Sequence, residues 1–249
     1  MSLKSITKAA FRALGLEVHS LKHGTPFFKD AFLDQERILA GREVRCILDV
    51  GANSGMTAAR YRKHFPGAFI HCFEPVDENF SALKHFTAKD AKMQAHRLAV
   101  TDQSGKIDLH LTEDPFTHSV FPNAGAFKNR GIIQVDAVCL DDFCCQQGME
   151  TVSILKMDIQ GGELLALKGA SGLLERQAID LIYTEASFTF FYQGQAMFGD
   201  ICPWLEQKGY DLFGFYDQAH WNGKLGWVDA LFVPRRKSGA PASLSGVLI

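Results

Sequence analysis

Residues 48–55 read Leu48-Asp49-Val50-Gly51-Ala52-Asn53-Ser54-Gly55, and the next apolar run closes on Phe73-Glu74-Pro75. The first stretch is a buried strand running into a glycine turn and a helix start. The second sets an acidic side chain at a strand end. Such a turn lets backbone approach a nucleotide-like ligand closely, and an acid about twenty residues on accepts hydrogen bonds from ribose hydroxyls. Gly51, Gly55 and Glu74 are therefore candidate cofactor contacts. Asp49, at the strand's carboxyl end, could meet an ammonium or act through water. In the dinucleotide form of this turn a middle glycine admits the pyrophosphate, and here Asn53 takes that place. Asparagine accommodates a diphosphate less well, tolerates a positive φ and offers its amide to a small polar group. Pro75 ends the strand and holds the acid at the sheet edge.

Working outward, short apolar runs alternate with helical stretches from Arg45 onward, at residues 46–50, 68–73, 96–100, 152–157 and 180–184. Strands buried on both faces read as continuous apolar runs, and strand–helix alternation implies a parallel sheet. The expected fold is α/β, a doubly wound, mostly parallel sheet. Residues 105–111 and 132–138 add strand-like pieces around a polar loop at 116–129. Residues 210–216 and 227–233 form two runs with no helix between them, a C-terminal antiparallel hairpin. Ahead of the sheet, Leu3, Ile6, Ala10, Leu14 and Val18 recur at helical spacing, and residues 30–40 predict a further helix. The first helix packs on the domain, the alternatives being a substrate lid or a homodimer contact. The division is residues 1–44 as a helical extension, 45–234 as the catalytic-sized domain, and 235–249 as a flexible tail beginning around Pro234.

The chain has 249 residues, 47% of them hydrophobic, enough to bury one large core. Its 26 basic and 28 acidic residues nearly cancel, which removes any global electrostatic case for a nucleic-acid or membrane partner. Six cysteines include no CxxC pair and no spacing for zinc, so no metal is assigned and a reduced, cytoplasmic setting is expected. Magnesium held by Asp158 and Glu185 stays open on composition alone. No window approaches a membrane span and the N-terminus does not read as a signal peptide.

The motifs LDVGANSG (48–55), FEP (73–75), LAVTDQSG (98–105), LDDF (140–143) and LKMDIQGGELLALKGA (155–170) together resemble class I S-adenosylmethionine-dependent methyltransferases, and more narrowly the FkbM family, over roughly residues 45–235. The resemblance implies S-adenosylmethionine as cofactor and methyl transfer to the hydroxyl of a small acceptor, commonly a sugar or natural-product intermediate. The chain departs from the family pattern at Gln160, where the family usually has Glu. Two other readings of the residues stand beside it: an NAD-dependent oxidoreductase, which Asn53 disfavours, and a non-catalytic S-adenosylmethionine-binding module.

Methyl transfer to an alcohol needs alignment and a base within hydrogen-bond reach. Asp158, at the carboxyl end of its strand, is the first choice, with a helix N-cap as its structural alternative. Glu185 on the neighbouring strand, His118 and His220 follow. The resemblance places His118 and Ser119 near the cofactor, and implies that Asp102, after the third strand, meets the adenine amino group. Lys156 is expected to form a structural ion pair. Phe188, Phe190, Phe191 and Tyr192 are either a stacking platform for the acceptor or core.

Overall fold

Five residues, Cys46–Val50, are buried to the last side chain, and around them the rest of the sheet is laid. The computed structural model describes residues 30–235. In chain order its elements are α1 (Ala31–Ile38), β1 (Cys46–Val50), α2 (Met56–His64), β2 (Phe69–Phe73), α3 (Asp77–Thr87), β3 (Met93–His96), β4 (Ala99–Val100), β5 (Gly105–Thr112), β6 (Asn129–Val138), α4 (Leu140–Gln146), β7 (Ile154–Met157), α5 (Glu163–Lys168), α6 (Ser171–Glu175), β8 (Ile182–Ser187), α7 (Phe198–Gln207), β9 (Tyr210–Trp221) and β10 (Lys224–Pro234). The helix expected over residues 3–22 lies outside the described residues.

The main sheet has seven strands in the order β3-β2-β1-β7-β8-β10-β9. Strands β3, β2, β1, β7 and β8 are mutually parallel, and β10 runs antiparallel to both of its neighbours. This is the expected mostly parallel α/β sheet. Alternation along β1 divides the core. Leu48 and Val50 face α4 to α7 through Phe143, Leu167, Leu173 and Leu205, whereas Ile47 faces Phe32 of α1 and Tyr61 of α2. Truncating Leu48 to alanine would cost about 2–5 kcal/mol at such a site.

Three boundaries differ from expectation. The run at 96–100 is not one strand of the main sheet. Met93–His96 is the edge strand there, and Ala99–Val100 pairs with Ala137 and Val138 in a separate three-stranded sheet, β4-β6-β5. An edge strand needs no continuous apolar run, so the polar Met-Gln-Ala-His segment carries the pairing. The hairpin is longer than expected, because Asn222 (φ 49°) and Gly223 (φ 76°) form a two-residue turn between twelve- and eleven-residue strands. An Asn-Gly pair in left-handed conformation is the preferred tight hairpin turn. The hairpin closes one end of the sheet, with β10 paired to β8 and β9 as the edge strand. Finally, Pro234 closes β10 opposite Tyr210, and Arg235, expected to belong to the tail, forms an ion pair with Asp211; residues 236–249 lie outside the described residues.

Candidate active site

Ligands of open α/β sheets collect at the carboxyl ends of the strands. Here a solvent-open cleft of about 690 Å³ occupies that edge. One end is apolar, walled by Phe73, Pro75, Val76, Leu98, Val100 and Leu109. The other carries Gly51, Asn53, Asp158, Ile159 and Gln160.

The turn after β1 is fixed by contact as much as by its own conformation. A Cβ on Gly51 would lie 1.9 Å from the Asp158 carbonyl oxygen, and its φ is +76°. Only glycine lets the ends of β1 and β7 touch. The Gly51 and Ala52 N–H groups both donate to the Phe73 carbonyl (3.1 and 2.9 Å), Asn53 N–H donates to Glu74 Oε2 (3.1 Å), and Gly55 N–H to the Ala52 carbonyl (2.8 Å). Asn53 takes the expected positive φ, 47°, and its side-chain amide donates to the Pro115 carbonyl (3.1 Å), as does that of Asn79 (3.2 Å). The two asparagines latch the 113–118 loop over the cleft. Gly55 opens α2 and leaves room for the Phe86 ring; it does not line the cleft.

Glu74 is 5% exposed, accepts from Val76 N–H (2.9 Å) and Asn53 N–H, and lines the middle of the cleft. Burial pushes its carboxyl up to about 7, against those two N–H groups and Asn79, which pull it down. Each oxygen keeps a lone pair for a hydroxyl donor.

Asp49 is not in the cleft wall. It points to the α2 face and pairs with Lys156 Nζ at 3.3 Å, so the ammonium it meets is internal. Lys156 also reaches the Gly51 carbonyl (3.3 Å). Burial works against its ammonium, but Asp49 and Asp158 outweigh burial and its pKa stands above the ordinary lysine value. Breaking one side of such a pair costs about 3–5 kcal/mol.

Asp158 is the residue shared by this cleft and a smaller polar one of about 350 Å³, lined by Phe32, Thr57, Arg60, Lys156, Met157, Tyr183, Asp217 and Asp229. Its side chain is 42% exposed. It caps no helix: α5 starts at Glu163, and Glu163 Oε1 accepts from Ile159 N–H (2.8 Å). Asp158 Oδ1 instead accepts from Gln160 Nε2 (2.9 Å), which also reaches Glu185 Oε1 (3.4 Å). The amide thus brings Asp158 and Glu185 together, although Glu185 lies behind Gln160 and not in the cleft wall. Burial, then Asp158, Glu163 and Asp229, hold the Glu185 carboxyl well above the usual carboxylate range.

His118 lines the cleft, but as a donor. Its Nδ1 accepts from Thr112 N–H (3.2 Å), so the neutral ring carries its proton on Nε2, a buried atom with no protein partner. Burial and then Arg130 hold its pKa below the ordinary histidine value. A base at this position is therefore corrected to a neutral hydrogen-bond donor. Ser119 is buried and fully engaged, donating to the Gln160 carbonyl (2.7 Å) and accepting from Phe121 N–H (3.0 Å); it supports the site from outside the cleft. Asp102 is exposed beyond β4, takes a bond from its neighbour Thr101, and does not line the cleft, because the segment before it belongs to the small sheet. His220 sits on β9, exposed, outside both clefts. Phe191 and Tyr192 are buried, Phe191 against Trp221 and Trp227, which makes them core; Phe190 is 66% exposed. Among the described residues no group of three or more His, Cys, Asp or Glu is arranged to hold a metal ion, and no helix is long and apolar enough to cross a membrane.

Sequence reasoning did not single out Asn79 or Ile159, and it read Tyr192 within an aromatic stretch as acceptor platform or core, with no sign of its link to Gln160. Asn79 carries a local signal, lying in the first turn of the helix after Glu74. Tyr192 carries none: its hydroxyl reaches Thr117 O (2.9 Å) and Gln160 Oε1 (3.0 Å) across the fold.

The family described as Methyltransferase FkbM domain matches residues 49–212. Among curated relatives, 2-O-methyltransferase NoeI of Sinorhizobium fredii is 30% identical over 162 residues, 60% of this chain and 66% of that protein. The 31-O-demethyl-FK506 methyltransferase FkbM of Streptomyces tacrolimicus is 26% identical over 173 residues, 57% of this chain and 66% of the relative. The chain thus spans just under two thirds of the length of both. A solved structure, magnesium protoporphyrin IX methyltransferase (ChlM) from Synechocystis, is similar over 94% of this chain and 98% of that one, at 10% identity and a TM-score of 0.45.

Proposed function

Because the chain belongs to the FkbM methyltransferase family, we propose that it is an S-adenosylmethionine-dependent O-methyltransferase acting on a hydroxyl of a small sugar-like or natural-product acceptor. The observation that carries the cofactor reading is how the glycine turn spends its donors. Four of the five N–H groups of residues 51–55 are bonded within the protein, two to Phe73 O and one each to Glu74 and Ala52. A diphosphate needs such groups free at the helix start. A nucleoside whose ribose meets Glu74, and whose charged end is an amino acid, does not. Glu74, the unpartnered Nε2–H of His118 and the apolar end of the cleft fit an adenosyl group. The two relatives described above are named for transfer to an oxygen, which supports a hydroxyl acceptor.

A bound sulfonium supplies an electrophilic methyl group. With the cofactor bound, an acceptor hydroxyl taking that methyl group would have to give up its proton. Asp158, exposed at the junction of the two clefts, takes that proton, while Asn53 and Asn79 hold the 113–118 loop down and restrict water.

Thermal-shift titration with S-adenosylhomocysteine and with NAD separates this reading from a dehydrogenase. Stabilisation by the first alone is expected, and stabilisation by NAD alone would refute it. Transfer of labelled methyl to any member of a saccharide and hydroxylated natural-product panel would exclude a purely binding module.

A further inference from the structure

We propose that Gln160 is a positioning residue whose side-chain amide takes the place of a cation between Asp158 and Glu185, leaving one Asp158 oxygen available to the acceptor; this rests on reading the cleft as a methyl-transfer site. Two carboxyl groups that converge on one point are held together by a shared proton, a positive charge or N–H donors between them. Gln160 supplies both donors from one nitrogen, at 2.9 Å to Asp158 Oδ1 and 3.4 Å to Glu185 Oε1. At the other end Oε1 faces the Tyr192 hydroxyl at 3.0 Å, which shares its one proton between Gln160 and the Thr117 carbonyl at 2.9 Å. Flipping the amide would turn a carbonyl oxygen on two carboxylates.

The backbone is held as firmly. Gln160 has φ 55°, its carbonyl accepts from Ser119 Oγ, and a Cβ on Gly161 would lie 2.7 Å from Gln195 Cβ. Conformations of this kind persist only where the surroundings impose them. Lys156 is 4.0 Å from Asp158 Oδ2 and already engaged by Asp49, so it does not fill the gap. Hard divalent cations take oxygen ligands at about 2.0–2.6 Å and consume their lone pairs. The amide engages Asp158 through Oδ1 alone.

Replacing Gln160 by Glu removes both donors and adds a third carboxylate, and the space then calls for a cation. The test is titration of the full-length protein with MnCl2 alone, followed by electron paramagnetic resonance, for wild type, Gln160→Glu and the swap Gln160→Glu/Glu185→Gln. Binding of S-adenosylhomocysteine is measured beside it. The expected result is that Gln160→Glu binds one Mn²⁺ at least tenfold more tightly than wild type, and that the swap, which has one carboxyl group fewer at the site, binds it more weakly than Gln160→Glu. Equal Mn²⁺ affinity in wild type and Gln160→Glu overturns the proposal. Should Gln160→Glu fail to fold, its rescue by MnCl2 present during refolding supports the proposal, and no rescue overturns it. Failure of wild type to bind S-adenosylhomocysteine would sink the methyltransferase reading and leave the Mn²⁺ result standing.

Discussion

Gly51, Asn53, Glu74 and Asn79 form one wall of the cleft from a single stretch of chain, residues 51–79, whereas in the other wall Asp158 and Gln160 are held from behind by Ser119, Glu185 and Tyr192, four separate segments in all. The first wall is braced by backbone: Phe73 O takes two N–H groups of the turn, and Glu74 takes two more. The second is a net of side chains meeting on one amide. On the proposed reading the locally braced wall binds, so its substitutions are expected to act on the fold and on cofactor affinity. The wall of side chains from distant segments is proposed to do the chemistry, so its substitutions are expected to act on turnover while affinity holds.

The largest effect belongs to the first wall. Gly51→Ala forces a methyl group into the Asp158 carbonyl, and a denaturant melt should show either no folded protein or a loss above about 4 kcal/mol, beyond the ordinary range for single substitutions. Next comes Asp158→Ala in the second wall. Turnover should fall about 10²–10⁴-fold, the usual worth of a positioned base, with S-adenosylhomocysteine affinity within a few-fold of wild type. Affinity falling in step with turnover would erase the division between the walls.

Glu74 offers a pH test. In the free protein its carboxyl sits at about 7, above the ordinary 4.5. Hydroxyl donors favour the ionised form, so binding lowers this pKa and releases a proton. Affinity for S-adenosylhomocysteine should therefore drop as pH falls below about 7 and level off above it, and calorimetry of Glu74→Gln should show weaker binding with a flat profile. By the same linkage, Glu74 and Glu163, the latter also pushed up to about 7 by burial, make the unliganded protein lose stability as pH rises from 4.5 to about 7. His118→Ala removes one buried donor, for which a loss of about tenfold in affinity is expected. The smallest effect is for Asp102→Asn, where a binding isotherm should be unchanged; a tenfold loss would return Asp102 to the site.

The same contrast explains what could be read from residues alone. LDVGANSG and Glu74 are local signals: a glycine forced by contact, and an acid at a strand end, each announce themselves within a few positions. Four of the five parallel strands were legible because burial on both faces leaves continuous apolar runs. Edge strand Met93–His96 left no such run, and the apolar Leu98-Ala99-Val100 that follows it belongs to the small sheet, which is why Asp102 was expected at an adenine site it does not reach. The Asn222-Gly223 turn was in plain view as a hairpin signal, but the strands around it are too mixed in polarity to mark their full length. Gln160 stood out as a departure from a pattern, yet its role depends on Tyr192 and Glu185, which no spacing connects to it.

The most direct measurement of the central claim is a crystal structure of the full chain with S-adenosylhomocysteine. The ribose hydroxyls should lie on Glu74, the adenine at the end walled by Phe73, Pro75 and Val76, and the sulfur on the side of Asp158. A ligand seated in the smaller cleft beside Arg60 and Asp229, with Glu74 untouched, would contradict it.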